Sequence, residues 1–202
     1  MNTLLLTYAV FAVAVASPGP ATLAIMSTSA TLGRASGIKL ALGIVTGSVF
    51  WGVLAGFGLA AVLLQFGWAL LALKIVGGAY LLWLAFKALR SAATPDSRLK
   101  PAKIRRGSFY RQGLLLHLTN PKPALAWPAL IAIGVGADAP IAYMATLVLG
   151  CSLIAATIFF SYVMLFSTPS MMAGYKRLRR NIDGVVAALF GFAGVKLLTS
   201  SV

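Results

Sequence analysis

Ser17-Pro18-Gly19-Pro20 and Asn120-Pro121-Lys122-Pro123 each interrupt a long apolar run, and each is closed by an alanine, Ala21 or Ala124. A membrane-spanning helix breaks at depth only where protein or a cavity receives the freed backbone, and such breaks recur at transporter binding sites. The common pattern, polar-Pro-x-Pro-Ala, reads as one device used twice.

The rest of the chain supports a membrane setting. Its 202 residues are 60% hydrophobic and 10% charged, and a mean hydropathy of +0.93 is too high for a soluble domain with a polar surface. Lys and Arg number 17 against 3 acidic residues, a net charge of +14. The basic residues lie mainly between apolar runs rather than on a basic face with base-stacking aromatics, which argues against nucleic acid as a partner and for a lipid bilayer. Cys151 is the single cysteine, which excludes an intrachain disulfide, a CxxC redox pair and a cysteine-rich metal site.

A hydrocarbon core of about 30 Å needs roughly 20 apolar residues per helix. On that measure the expectation is an all-α integral membrane protein of six transmembrane helices: about Leu4 to Met26, Ile38 to Leu64, Trp68 to Leu89, Leu114 to Ile133, Ile141 to Phe166, and a short last span from Val185 to Leu198. Ala14-Val15-Ala16 matches a small-x-small cleavage pattern, but no positive charge precedes Arg34 and the apolar stretch continues to Met26, so the first span is expected to stay in the mature protein. Residues 1–202 then form one transporter domain, with repeats over about 1–90 and 112–202 joined by a charged loop over about 91–111 that holds Pro95, Asp96, Ser97 and Pro101.

Short loops rich in Lys and Arg stay cytoplasmic. Arg34 and Lys39 follow the first span, Lys87 to Arg111 surround the end of the third, and Lys176 to Arg180 follow the fifth, whereas the stretches near Phe66 and Asp138 carry no Lys or Arg. Both termini are therefore expected outside. Three crossings separate one break from the other, an odd number, so the halves are expected to be inverted repeats with helices 1 and 4 broken.

The chemistry of each break follows from its residue types. With Ser17 as N-cap, Pro18 and Pro20 fall in the first helical turn, where N–H groups have no intrahelical partner and prolines cost little. Asn120 plays the same part for Pro121 and Pro123. Each motif would then start a half-helix at mid-membrane and point N–H groups, including those of Gly19 and Lys122, into the space before it. Counting about 1.5 Å per residue puts both breaks at a similar depth. Two partly positive helix ends facing one cavity suit a carboxylate, and Lys122 adds a formal charge.

Other ionisable residues need separate readings. Lys74 lies inside the third span, where its two uses are as a ligand-binding cation and as a snorkelling side chain near Trp68. Asp183 stands just before the sixth span beside Arg179 and Arg180, where a carboxylate at a helix start complements the macrodipole; no carboxylate is better placed for proton coupling. His117, the one histidine, precedes the second break by less than a turn and has a relay's position, against the commoner use of hydrogen-bonding nearby backbone. Tyr80, Trp51, Trp83 and Trp127 read first as packing or interface aromatics, with the lining of a cavity as the alternative. Gly43-x-x-x-Gly47 and Gly52-x-x-x-Gly56 suit close helix contact, within the chain or with a second copy in a homo-oligomer.

An intramembrane enzyme would need a nucleophile with its base or paired carboxylates, and only a serine with His117 is available within the spans. A metal exporter would need clustered Asp, Glu, His or Cys ligands. No cofactor motif is present. A passive assembly protein would have no use for two matched breaks.

Taken in order, Ser17-Pro18-Gly19-Pro20, Gly33-Arg34-Ala35-Ser36-Gly37, Lys74-Ile75-Val76-Gly77-Gly78-Ala79-Tyr80-Leu81 and Asn120-Pro121-Lys122-Pro123 make the chain resemble the LysE-type (LysE/RhtB) family of bacterial amino-acid exporters over nearly its whole length. The resemblance implies efflux of amino acids or close analogues across the inner membrane, usually credited to the proton gradient. It also implies functional roles for Pro18, Gly19, Pro20, Asn120, Pro121 and Lys122. Pro123, where the family often has a small residue, and Trp127-Pro128 depart from its pattern.

Overall fold

The computed structural model describes residues 3–58, 66, 68–94, 107–134 and 140–199. The expected end of the second span at Leu64, most of the charged loop from Pro95 to Arg106, and Asp138 lie outside the described residues.

Helices α1 (Thr3–Ala16) and α2 (Pro20–Leu32) are followed by α3 (Arg34–Val53), which continues into a π-helical turn at Leu54–Gly58. Then come α4 (Ala69–Ala93), α5 (Phe109–Leu118), α6 (Pro121–Gly134), α7 (Ile141–Leu165) and α8 (Pro169–Thr199), with no strand among the described residues. Four stretches, Arg34–Gly58, Ile75–Ala93, Ile141–Leu165 and Arg177–Thr199, are long and apolar enough to cross a membrane. The pair α1 and α2, bent by 53°, makes a fifth when taken as one span. The shorter α5 and α6, over the expected fourth span, fall outside that set.

Both proline motifs break the helix where the sequence places them, between Ala16 and Pro20 and between Leu118 and Pro121. The last helix is another matter. It runs from Pro169 to Thr199 rather than beginning near Val185, so Lys176, Arg177, Arg179 and Arg180 are helical and Asp183 sits in the helix interior. The reading of Asp183 as a residue at a helix start is thereby corrected. Hydropathy falls over these positions, but a polar stretch can stay helical when its charges find partners. Arg179 and Asp183, both 1% exposed, do so against α4. Arg179 donates to the Ser91 carbonyl at 3.2 Å, to the Ser91 hydroxyl at 3.1 Å and to the Thr94 carbonyl. It also stands 3.5 Å from the Asp183 carboxylate, which accepts from the Ser91 hydroxyl at 2.8 Å. A cation at the carbonyl end of α4 complements that helix's macrodipole.

Glycine decides how closely α3 approaches its neighbours. A methyl group added at Gly43 would overlap the Tyr110 carbonyl, and one at Gly113 would overlap that of Leu40, so α3 and α5 meet backbone to backbone. Farther along α3 and into its π-helical turn, an added methyl would stand 2.9 Å from His117 at Gly47, 2.8 Å from the Trp127 ring at Gly52 and 2.9 Å from Val148 at Gly56. The glycine row thus packs within the chain, against α5, α6 and α7. Gly78 of α4 and Gly194 of α8 make a second crossing, where a methyl added at Gly78 would lie 3.3 Å from the Gly194 carbonyl oxygen and one at Gly194 3.1 Å from that of Gly78. Ile25, Leu40, Ile44, Trp127, Leu130, Ile131 and Leu147 fill the core between these crossings.

Large apolar side chains also face outward, among them Ile75, Val76 and Phe86 of α4, Leu149 and Leu153 of α7, and Val185 and Phe192 of α8. In water such faces would drive association. Against lipid tails they are the expected exterior. Several hydroxyls within the helices bond their own backbone, as Thr46 does to Leu42 and Thr157 to Leu153, each at 2.9 Å, which satisfies them in the apolar setting, whereas the buried hydroxyls of Thr28 and Ser29 in α2 have no hydrogen-bond partner.

Candidate functional site

The two breaks meet. Lys122, the second residue of α6, reaches across to the first break and donates from Nζ to the Ser17 carbonyl at 3.0 Å and to the Ser17 hydroxyl at 2.5 Å. Its backbone N–H donates to the Asn120 side-chain oxygen at 3.0 Å, so Asn120 caps α6 as its sequence position predicts.

At the first break the cap lies two residues later than expected. Ser17 closes α1: its N–H bonds the Val13 carbonyl at 2.8 Å and its hydroxyl the Ala14 carbonyl at 2.9 Å. Gly19 is the N-cap and Pro20 follows it at the start of α2. With no side chain of its own to cap the helix, Gly19 donates its N–H to the Thr22 hydroxyl at 2.8 Å, and that hydroxyl donates back to the Gly19 carbonyl at 3.0 Å. The Gly19 and Lys122 N–H groups, expected to face the cavity unpaired, are therefore both satisfied locally. The cation available to a ligand is the Lys122 ammonium itself.

Two tyrosines fix the main chain of these breaks. Tyr162 of α7 donates to the Ala16 carbonyl at 2.6 Å, and Tyr80 of α4 donates to the Lys122 carbonyl at 2.9 Å. Tyr162 gave no signal in the sequence. Thr22 gave a faint one, its position three residues after the cap.

Beside the joined breaks lies a cavity enclosing about 470 Å³ of empty space, its open mouth included. Gly19, Thr22, Ser48, His117, Asn120 and Lys122 supply its polar wall; Phe11, Trp127, Leu130 and Phe159 are among its apolar lining, and the wall contains no Asp or Glu among the described residues. Phe11 and Trp127 pack with ring centroids 4.8 Å apart. Trp127 is 1% exposed, so it is a wall of the cavity, whereas Trp83 faces outward with the Lys87 ammonium 4.5 Å above its ring. No carboxylate pairs with Lys122 among the described residues.

The matching family model, LysE type translocator, covers residues 12–201. The chain belongs to this family. Relatives of this LysE-type chain include a threonine efflux protein of Escherichia coli (strain K12), 31% identical over 207 residues and covering 99% of this chain and 100% of the relative. An uncharacterized membrane protein, YahN, of the same organism is 29% identical over 206 residues, 100% of this chain and 92% of the relative. A homoserine/homoserine lactone efflux protein of Salmonella typhimurium is 32% identical over 114 residues, 56% of this chain and 55% of the relative. No solved structure matches.

The other predicted site residues are spread differently around this LysE-type fold. His117 lines the cavity and is 5% exposed, but neither ring nitrogen has a hydrogen-bond partner, contrary to the backbone-bonding reading. Asp183 is not among the lining residues and is held by Ser91 and Arg179. Lys74 lies on α4 ahead of Tyr80, and its side chain lies outside the described residues. Pro18 and Pro121 carry the chain into and out of the breaks.

Proposed function

We propose that this chain is a secondary transporter that exports amino acids or close analogues across the bacterial inner membrane, and that it holds the substrate carboxylate on Lys122 between the two helix breaks. The observation that carries the proposal is the Lys122 ammonium bonded to Ser17 across the junction, with no Asp or Glu on the cavity wall among the described residues. An ammonium has three donors, and a carboxylate accepts from it far more strongly than a neutral oxygen does. The half-helix start at Pro121 adds the positive end of its dipole on the same side. Membership of a translocator family, with relatives named for threonine and homoserine efflux, supports amino acids as the cargo.

The proposal includes six crossings in two inverted three-helix halves, both termini outside and the basic loops in the cytoplasm, with export driven by the proton gradient. For coupling, Asp183 and His117 are the ionisable candidates. The burial of Asp183 against Arg179 favours a structural use for it, which leaves the cavity histidine as the better placed of the two.

The test is equilibrium binding to purified, folded protein. Losing a charge-assisted hydrogen bond costs about 1.5–3 kcal/mol, so Lys122→Ala is expected to weaken amino-acid binding by roughly ten- to a hundredfold. The corresponding amino amide, which lacks the carboxylate, should bind poorly to the normal protein and be little changed by the substitution. An amide that binds as well as the acid removes Lys122 as the carboxylate site.

A further inference from the structure

The cavity at the breaks contains a polar side chain that carboxylate binding leaves unused. His117 is 95% buried by its 5% exposure, lines the cavity, and has no hydrogen-bond partner at Nδ1 or Nε2. Three of its polar neighbours on the wall are engaged: Asn120 accepts from the Lys122 N–H, Thr22 accepts from the Gly19 N–H, and Lys122 donates to Ser17. Buried polar atoms in folded proteins are satisfied with few exceptions, so an unpartnered imidazole on a cavity wall points to a partner that arrives from the cavity.

Packing alone holds the ring in place. Gly47 of α3 comes so near that an added methyl would stand 2.9 Å from the His117 Cβ, and Phe159 of α7 meets the imidazole edge-on at 6.1 Å between centroids. The ring is thus positioned from two sides without either nitrogen being used. In the neutral imidazole one nitrogen donates and the other accepts.

We propose that His117 is the second anchor of the substrate site, accepting a hydrogen bond from the substrate's α-ammonium while Lys122 holds its carboxylate, and that the site selects amino acids with uncharged side chains. This rests on the Lys122 reading above. An α-ammonium entering this cavity meets no carboxylate on the wall among the described residues. The His117 ring nitrogens are buried wall atoms without a hydrogen-bond partner, and one of them can accept from the α-ammonium. A second ammonium or a guanidinium on the substrate side chain would find the imidazole taken and no Asp or Glu on the wall among the described residues, with apolar lining at Leu130, Val15 and Ala126. Such a charge is costly to desolvate without a partner. A methyl or hydroxymethyl side chain meets no such penalty, and the Ser48 hydroxyl lies on the same wall.

The experiment measures dissociation constants for the purified, folded chain with four probes: L-threonine, 3-hydroxybutyrate (the same skeleton without the α-amino group), L-threonine amide and L-lysine. In His117→Leu, L-threonine is expected to bind about ten- to a hundredfold more weakly with 3-hydroxybutyrate unchanged, and His117→Gln, which keeps an acceptor, should recover part of the loss. L-lysine should bind the normal protein at least about tenfold more weakly than L-threonine. Equal weakening of L-threonine and 3-hydroxybutyrate in His117→Leu, or no weakening of either, overturns the anchor. L-lysine binding as tightly as L-threonine overturns the selection. If the normal protein still prefers the acid to the amide, these results leave the Lys122 reading standing; if it does not, that reading falls first. Should L-threonine fail to bind, L-alanine and L-leucine replace it, each paired with its deamino acid, and binding of none of these by folded protein overturns both.

Discussion

The Lys122 ammonium and the Ser17 carbonyl, 105 positions apart in the chain, lie 3.0 Å from each other. Through that bond the start of α6 is fastened to the end of α1, and two interruptions that look alike in sequence become two sides of one junction. The first break contributes the accepting oxygens and the second the donating ammonium.

Gly19 stands at the contact. A methyl added there would lie 3.3 Å from the Lys122 Nζ and 3.5 Å from its Cδ, so Gly19→Ala requires a small movement of a flexible side-chain end. Gly19→Leu, with three more carbons at this contact, is expected to displace the ammonium from Ser17. The backbone at Gly19 is extended, with φ −162° and ψ 178°, which any residue can adopt. Gly19→Leu should therefore fold yet lose most export, with Gly19→Ala intermediate, as measured by efflux from amino-acid-loaded cells at matched membrane levels. Normal export by Gly19→Leu would show that Lys122 need not occupy this position.

Replacing glycine should act in opposite directions at two other sites. Gly43→Ala forces a methyl into the Tyr110 carbonyl, where backbone cannot give way cheaply, and overpacking of this kind costs about 1–3 kcal/mol. Gly174, inside α8, has nothing within 4 Å of an added methyl, and Gly174→Ala should gain about 0.5–1 kcal/mol from helix propensity. Thermal unfolding of the purified variants in detergent checks both signs. A Gly43→Ala variant as stable as the parent would mean that α3 and α5 are not packed as described.

For Asp183→Asn, loss of stability is expected without loss of drive. The carboxylate is 1% exposed and pairs with Arg179 at 3.5 Å. Removing one member of a buried ion pair typically costs about 3–5 kcal/mol, an upper figure here because Arg179 keeps the Ser91 and Thr94 carbonyls. Vesicles containing the variant, assayed below its unfolding temperature, should still accumulate substrate against its gradient when a proton gradient is imposed. If exchange survives while gradient-driven accumulation disappears, Asp183 is the coupling carboxylate after all.

Orientation is checked by single cysteines. With Cys151 replaced, a cysteine at Ser97 should react with an impermeant maleimide only from the cytoplasmic side, and one at Ala137 only from outside. Labelling of both from one face would remove the inverted arrangement of the halves.

Much of this fold was legible because proline and hydropathy act locally. A proline pair cannot sit in a helix interior without loss of N–H donors, so both breaks could be placed to within a residue or two. Asn120 was legible as a cap for the same reason. Ser17 was not, because both Ser17 and Gly19 stand before a proline, and the choice between them depends on Thr22 accepting the Gly19 N–H and on Lys122 drawing Ser17 into another role. The true start of α8 was hidden by charge, since hydropathy registers Lys176 to Arg180 as an ending while the buried partners of Arg179 lie 88 positions away in α4. Glycine spacing announced a close contact along α3 but carried no information about the partner, which proved to be α5, α6 and α7 of the same chain. The solitude of the His117 nitrogens depends on every neighbour at once and has no signature in the sequence.

The two tyrosine hydroxyls have a mechanical consequence. Tyr162 and Tyr80 grip the carbonyls of Ala16 and Lys122 from α7 and α4, which pass the breaks without being broken there themselves. An interrupted helix is usually pictured as a hinge. Here each corner is tied by a tyrosine hydrogen bond to a helix that runs on past it, which restrains the 53° angle between α1 and α2. Bending at either break is then expected to cost the tyrosine hydrogen bond that holds it, about 0.5–1.5 kcal/mol each.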